Sequence, residues 1–327
     1  MPLPAPPDLR GRVAIVTGGS RGIGREVCLA LAEAGCAVVV AAKTATPQPT
    51  LPGTVYTVAA ECDARSRNAG ASSSSSSPRA MPFVLDLRDE ASIRACVRAT
   101  IDRFGRVDVL VNNASALWWH TVEETPTKKY DLIQAINARG AFLATRECLP
   151  HMRAQNFGRV ICMGPPIPRG GREGYRAYAG KTAYYMSKCG MTMVALGAAA
   201  EGARFGISGN ALWPATVVES SASENFELGD RSSWRKARIL ADCVLCLIAD
   251  GVGTTGRELI DDEYLRTKGA DDEDLRAYRC DPEVEPPRLL AEGAGGGGGG
   301  GGEGGGDWDV RRGDVRELGR DKARSKL

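Results

Sequence analysis

The chain has 327 residues, 43% apolar and 25% charged, with a formal net charge of +2, a composition that belongs to a folded globular protein and not to a disordered one. The near-balanced charge contains no block of like sign, which excludes a nucleic-acid footprint and a basic membrane patch, and no apolar run approaches the ~18 residues of a membrane span. Ten cysteines scattered through apolar segments, with only His120 and His151 as imidazoles, read as small buried hydrophobes in a reducing compartment rather than as disulfides or a zinc site.

In chain order, residues 1–10 form a proline-rich leader that lacks the apolar core of a secretory signal. Two runs rich in β-branched residues, Val13-Ala14-Ile15-Val16 and Ala37-Val38-Val39-Val40, flank an amphipathic stretch from Ile23 to Ala34 that stops at Gly35, which predicts strand, helix, strand. The alternation continues with Phe83-Val84-Leu85, a helix from Glu90 to Phe104, and the strand Val107 to Val111. A helix around Tyr130 to His151, the strand Arg159 to Met163, a helix from about Ala183 to Phe205 and the strand Ile207 to Leu212 come next. Ala241 to Ile248 and Glu258 to Ile260 supply a last helix and strand. Such alternation predicts a doubly wound α/β fold, one domain over residues 11–290, with a mainly parallel sheet covered by helices on both faces.

Two low-complexity stretches interrupt the pattern. The serine run Ser72 to Ser77 marks an insertion over about residues 64–80, and the glycine run Gly295 to Gly302 belongs to a tail over residues 291–327 that ends in Ser325-Lys326-Leu327. Neither composition can bury apolar surface, so both are expected to be flexible. The terminal tripeptide has the form of a peroxisomal address, which makes an import receptor an expected partner and the peroxisome the expected location.

Chemistry is carried by three motifs. Directly after the first strand stands Thr17-Gly18-Gly19-Ser20-Arg21-Gly22-Ile23-Gly24, opening the first helix, where glycines let the backbone approach a pyrophosphate that the helix N-terminus attracts. The second strand exits into Ala41-Ala42-Lys43 with no acid to bind a ribose, and Lys43 with Arg21 points to the extra phosphate of NADP. Further on come Asn112-Asn113-Ala114-Ser115 and Tyr184-Tyr185-Met186-Ser187-Lys188. Tyr184 and Lys188 lie one helical turn apart, so the ammonium is expected to lower the phenol's pKa and ready it for proton transfer to a carbonyl. Taken singly, these motifs also fit a tight strand-helix connection, two solvated surface cations and a chance Tyr-x-x-x-Lys spacing.

In combination and in this order, the motifs resemble the short-chain dehydrogenase/reductase family over about Gly11 to Ile260. The resemblance implies a Rossmann-type domain that binds NADP(H), a small-molecule carbonyl or alcohol as substrate, and a homo-oligomer. It implies Tyr184 as general acid/base, Lys188 as its activator and a ribose ligand, and Asn137 as holder of a proton-relay water. Thr17, Gly18, Ser20, Arg21, Gly22, Ile23 and Gly24 would bind phosphate, Asp86 and Leu87 would contact adenine, and Asn112 and Ala114 would line the cofactor groove. Trp118, Trp119 and the stretch Thr216 to Lys236 are expected to wall a pocket for an apolar, lipid-like substrate.

One position departs from the family pattern. A catalytic serine is expected where Cys162-Met163-Gly164-Pro165-Pro166 has Gly164, and no serine occurs from Phe157 to Lys181; the hydroxyls nearby are those of Tyr175, Tyr178 and Thr182. Two readings follow. The chain is either a slow oxidoreductase whose turnover rises on Gly164→Ser, or a nucleotide-binding sensor or partner with little turnover of its own.

Overall fold

The computed structural model describes residues 5–48, 53–68, 79–167 and 178–288. Seven short apolar segments pair edge to edge: β1 (Val13–Thr17), β2 (Ala37–Ala42), β3 (Ala80–Val84), β4 (Val109–Asn112), β5 (Gly158–Cys162), β6 (Ile207–Trp213) and β7 (Arg257–Ile260). All pairings are parallel and the order is β3-β2-β1-β4-β5-β6-β7. The chain winds outward from β1 to β3, then returns to place β4 on the other side of β1. The two neighbours Val16 and Val111 in this central pair sit in register, so the segments that leave β1 and β4 emerge side by side at the point where the winding reverses.

Alternation along the strands sends side chains to two cores. Ala14, Val16, Val38 and Val40 pack beneath α1 (Gly22–Glu33) and the later helix α8 (Arg238–Asp250), where Val27, Leu31, Leu240 and Val244 are fully covered. Ile15, Val39 and Leu110 face α3 (Glu90–Phe104), α5 (Gly140–Gln155) and α6 (Thr182–Gly202), through Ile93, Leu143 and Met191. All ten cysteines are free thiols, and seven of them are buried. Among the described residues no helix is long and apolar enough to cross a membrane.

Several elements differ from the sequence expectation. An additional helix, α2 (Val55–Asn68), buries Val55, Val58, Ala59 and Cys62 at helical spacing and opens at Thr54, whose hydroxyl accepts from the Thr57 N–H at 3.1 Å. This helix and β3 extend into both ends of the segment 64–80; the serine run between them lies outside the described residues, as do the glycine run and the terminal Ser325-Lys326-Leu327. The helix expected around Tyr130 to His151 is not continuous. It consists of α4 (Thr127–Gln134) and α5, joined by a π-helical turn, Ala135–Arg139, that centres on the fully buried Asn137. A π turn accommodates one extra residue and is common at functional sites. Past β6, a loop leads into the short α7 (Ser221–Asn225), and α9 (Asp261–Thr267) and α10 (Asp272–Arg276) follow β7.

Candidate active site

The turn after β1 is built for close approach. Gly18 and Gly22 have φ of +69° and +52°, the left-handed region that favours glycine. A Cβ on Gly24 would overlap the Gly18 carbonyl and stand 2.5 Å from Asn113 Nδ2, and one on Gly18 would stand 2.8 Å from the Ala114 Cα. Neighbouring bonds lock this packing. Thr17 Oγ1 accepts from the N–H groups of Asn113 and Ala114 at 3.1 Å each, and Asn113 Nδ2 donates to the Thr17 carbonyl at 2.9 Å.

This turn forms one end of a cavity of about 1100 Å³ that runs along the C-terminal edge of the sheet. Such a volume exceeds what one drug-sized ligand requires and accommodates a dinucleotide beside a substrate. Of the residues singled out from the sequence, Gly18, Ser20, Arg21, Gly22, Ile23, Lys43, Asp86, Leu87, Ala114, Tyr184 and Lys188 line it. Four do not. Thr17 and Gly24 lie behind the turn; Asn112 is 1% exposed and donates to Thr145 Oγ1 on α5 at 3.0 Å; Asn137 is covered completely. Asn113, the second residue of the pair, takes the cavity position expected of Asn112. The reason lies in strand alternation, which turns the last side chain of β4 into the core and leaves the next at the edge.

At the exit of β2 two cations flank one carboxylate, with a third, Arg21, lining the same cavity. Asp86 pairs with Arg88 at 2.5 Å and with Lys43 at 3.7 Å, and these partners, Arg88 first, hold its carboxyl well below the usual range against the effect of burial. Arg21 donates to Thr44 Oγ1 at 2.8 Å, while Lys43 is 70% exposed and so keeps its ammonium toward solvent. Arg88 and Thr44 also line the cavity; neither carries a sequence signal beyond its proximity to Asp86 and Lys43.

The opposite end of the cavity is aromatic. Trp119 meets Tyr184 edge-on at 6.3 Å between centroids and lies 6.4 Å from Phe226; Trp118 stacks on His120 at 4.5 Å. The indole N–H groups of Trp118, Trp119 and Trp213 are buried without a partner among the described residues. Apolar rings with a few unsatisfied donors suit a largely apolar ligand.

Between the two ends stand Tyr184 and Lys188 on α6, both more than nine-tenths buried. Lys188 Nζ donates to the Met163 carbonyl at 2.9 Å and sits 5.9 Å from the centre of the Tyr184 ring. Burial pulls the Lys188 amine down to about 7 from its ordinary 10.5, with Cys162 acting weakly the other way. Burial also raises the Tyr184 phenol, the neighbouring Tyr185 adds to the rise, and a hydrogen bond from Ser115 opposes it. The expectation that Lys188 lowers the phenol's pKa is therefore not met in this arrangement: Lys188 is not among the groups that shift the phenol, and its charge is directed at a backbone carbonyl.

Asn137 links the two halves of the centre. Its Nδ2 donates to the Ala116 carbonyl and to Ser187 Oγ, each at 2.9 Å, and its Oδ1 accepts from the Ala116 N–H at 2.7 Å. Ser187 Oγ in turn donates to the Tyr184 carbonyl at 2.7 Å. Both amide hydrogens are thus in use, and the side chain fastens the exit of β4 to the helix that carries Tyr184 and Lys188.

Gly164 has no room for a side chain. A Cβ there would overlap Thr192 Oγ1 and stand 3.0 Å from both the Lys188 carbonyl and the Thr192 N–H nitrogen, facing α6 and not the cavity. Thr192 is fully buried and its hydroxyl is fixed to the Pro165 carbonyl at 2.7 Å, so it cannot swing aside. The expectation that Gly164→Ser restores a working hydroxyl is overturned by this crowding. Of the alternative hydroxyls, Tyr178 and Thr182 do not line the cavity, and Tyr175 lies outside the described residues.

A family model described as short chain dehydrogenase matches residues 12–228. The chain is 38% identical over 272 residues to hydroxysteroid dehydrogenase-like protein 2 of Danio rerio, covering 82% of this chain and 61% of that protein. The Homo sapiens protein of the same name is 35% identical over 291 residues, covering 89% and 66%. The chain therefore spans somewhat under two thirds of the length of these relatives. The crystal structure of a short chain dehydrogenase from Mycobacterium thermoresistibile superimposes with a TM-score of 0.75 at 34% identity, over 88% of this chain and 99% of that one. With its seven-stranded parallel sheet, its glycine turn and the Tyr184–Lys188 pair at the sheet edge, this chain belongs to the short chain dehydrogenase family.

Proposed function

We propose that the chain is an NADP(H)-dependent oxidoreductase that interconverts a carbonyl and a secondary alcohol on an apolar, lipid-like substrate. One observation carries the reading: a single cavity joins the glycine turn and its cations to the Tyr184–Lys188 pair and the tryptophan wall. The turn fits a dinucleotide, because Cβ atoms at Gly18 and Gly24 would fill the space into which its backbone folds. Lys43, Arg21 and Arg88 outnumber Asp86 where the adenosine end would lie, which favours a phosphorylated ribose. When bound, the nicotinamide supplies or takes up the hydride.

The residues of the chain do the remainder. Tyr184 delivers a proton to the carbonyl oxygen in reduction and removes it in oxidation. Lys188, 5.9 Å from the centre of the Tyr184 ring, would hold the cofactor's ribose. Asn137 positions α6 against the β4 exit; a relay water would be held by its backbone carbonyl, since its side chain is fully engaged. Phe142 on α5 and Met186 and Met193 on α6 are more than half exposed, and Met186 and Met193, seven residues apart, share one helix face that suits a second copy of the chain. A molar mass of one chain by light scattering would contradict that assembly.

Ser325-Lys326-Leu327, as a free C-terminus, would direct the protein to peroxisomes through the import receptor. Removal of Leu327 from a tagged chain should leave it in the cytosol; a complete chain that never enters peroxisomes contradicts the assignment. The activity itself is tested by NADPH quenching of tryptophan fluorescence together with NADPH consumption over fatty-acyl, steroid and aromatic carbonyls. Gly164 supports a second reading, a cofactor-binding protein that does not turn over. It predicts quenching without consumption.

A further inference from the structure

We propose that the Ser115 hydroxyl, at the exit of β4, holds the substrate oxygen beside the Tyr184 phenol in place of a hydroxyl on residue 164. This role rests on the carbonyl–alcohol reading above and adds the residue which that reading lacks. Three observations carry it. Position 164 cannot serve, because its side-chain direction runs into the backbone of α6 rather than the cavity. Ser115 lines the cavity, is exposed to it, and lies near enough to the Tyr184 side chain to lower the phenol's pKa. Its own hydrogen makes a long bond, to the Ala116 carbonyl at 3.3 Å, whereas Thr121 is held by Glu124 at 2.9 Å and Ser223 by the Val218 carbonyl at 2.5 Å.

The position of Ser115 is set by the bonds already described. Asn113 and Ala114 are tied to Thr17, and Ala116 is clamped on both its N–H and its carbonyl by Asn137, so the residue between them is fixed in place although it is exposed. A donor held in this way costs little reorganisation when charge develops on the substrate oxygen. In the reduction, the carbonyl carbon accepts hydride from the dihydronicotinamide, which is oxidised, and the carbon–oxygen π pair moves to oxygen. That oxygen takes the Tyr184 proton to give the alcohol, and the phenolate is reprotonated from solvent. Ser115 keeps its proton throughout and donates a hydrogen bond to the oxygen as charge builds.

The test compares wild type, Ser115→Ala and Ser115→Thr with NADPH and three probes: p-nitrobenzaldehyde, decanal and an oxosteroid. The expected result is a loss of about a hundredfold in kcat for Ser115→Ala, the scale of one oxyanion donor. NADPH affinity by fluorescence quenching and the thermal midpoint should stay unchanged, because the side chain supports no packing, and Ser115→Thr should recover part of the rate. Equal kcat in wild type and Ser115→Ala overturns the assignment of Ser115 and leaves the oxidoreductase reading standing. A wild type that binds NADPH and reduces none of the probes counts against that reading and the role of Ser115 together.

Discussion

The ammonium of Lys188 donates to the backbone carbonyl of Met163 at 2.9 Å, and this bond joins the helix that carries Tyr184 to the strand exit that carries Gly164. It brings α6 so close to the exit of β5 that residue 164 must be glycine. The amine is thereby buried beside a single carbonyl, and the cost of its charge follows from that burial.

The linkage of Lys188 to stability has a definite sign. In the folded chain the amine loses its proton near pH 7, whereas the unfolded chain keeps it to about 10.5, so the unfolded state binds more protons in that window. The penalty is full below pH 7 and fades as pH rises towards 10. Lys188→Met removes a cost on the order of 5 kcal/mol at acid pH, partly offset by the lost bond to Met163. We expect the variant to melt no lower than wild type at pH 6 and to show a flatter rise of stability between pH 7 and 10. Turnover should fall by about a hundredfold or more. A variant that melts well below wild type at pH 6 contradicts this account of the buried amine.

Gly164→Ser is expected to harm rather than help. The added atoms press on Thr192 and on the backbone of α6, an overpacking that costs about 1–3 kcal/mol. Thermal unfolding should show a lower midpoint, and kcat should not exceed that of wild type. A rise in kcat at unchanged stability would mean that α6 and the β5 exit stand further apart than they do here.

Cofactor choice is assigned to the exit of β2. Lys43→Asp places a second carboxylate beside Asp86 and removes the most exposed cation, so NADPH affinity should fall roughly tenfold while NADH affinity holds or improves. The preference should also weaken with added salt. Fluorescence titrations with both nucleotides check this, and wild type binding NADH as tightly as NADPH would refute the assignment.

Much of this was legible in the sequence because it is local. Strand and helix periods locate all seven strands, and the order of motifs places Gly18, Gly22, Tyr184 and Lys188 on one sheet edge, where the structure has them. What the sequence does not show depends on packing between distant segments. The π turn at Asn137 arises from bonds to Ala116 and Ser187, 21 and 50 residues away, and helical periodicity alone reads through it. Asn112 and Asn113 look equivalent in sequence and are separated only by which face of β4 they occupy. The fit of Gly164 against Thr192 and the approach of Ser115 to Tyr184 are likewise contacts across the fold, invisible to spacing.

In the proposed reaction Tyr184 passes a proton at the end of a nucleotide-binding cavity. This step is tested most directly by NADPH consumption in wild type and Tyr184→Phe on whichever carbonyl the wild type reduces, with NADPH affinity measured on both. The phenyl ring fills the same space and lacks only the hydroxyl. Tyr184→Phe should bind NADPH as wild type does and lose at least about a hundredfold in kcat. Equal consumption by the two proteins would contradict this step.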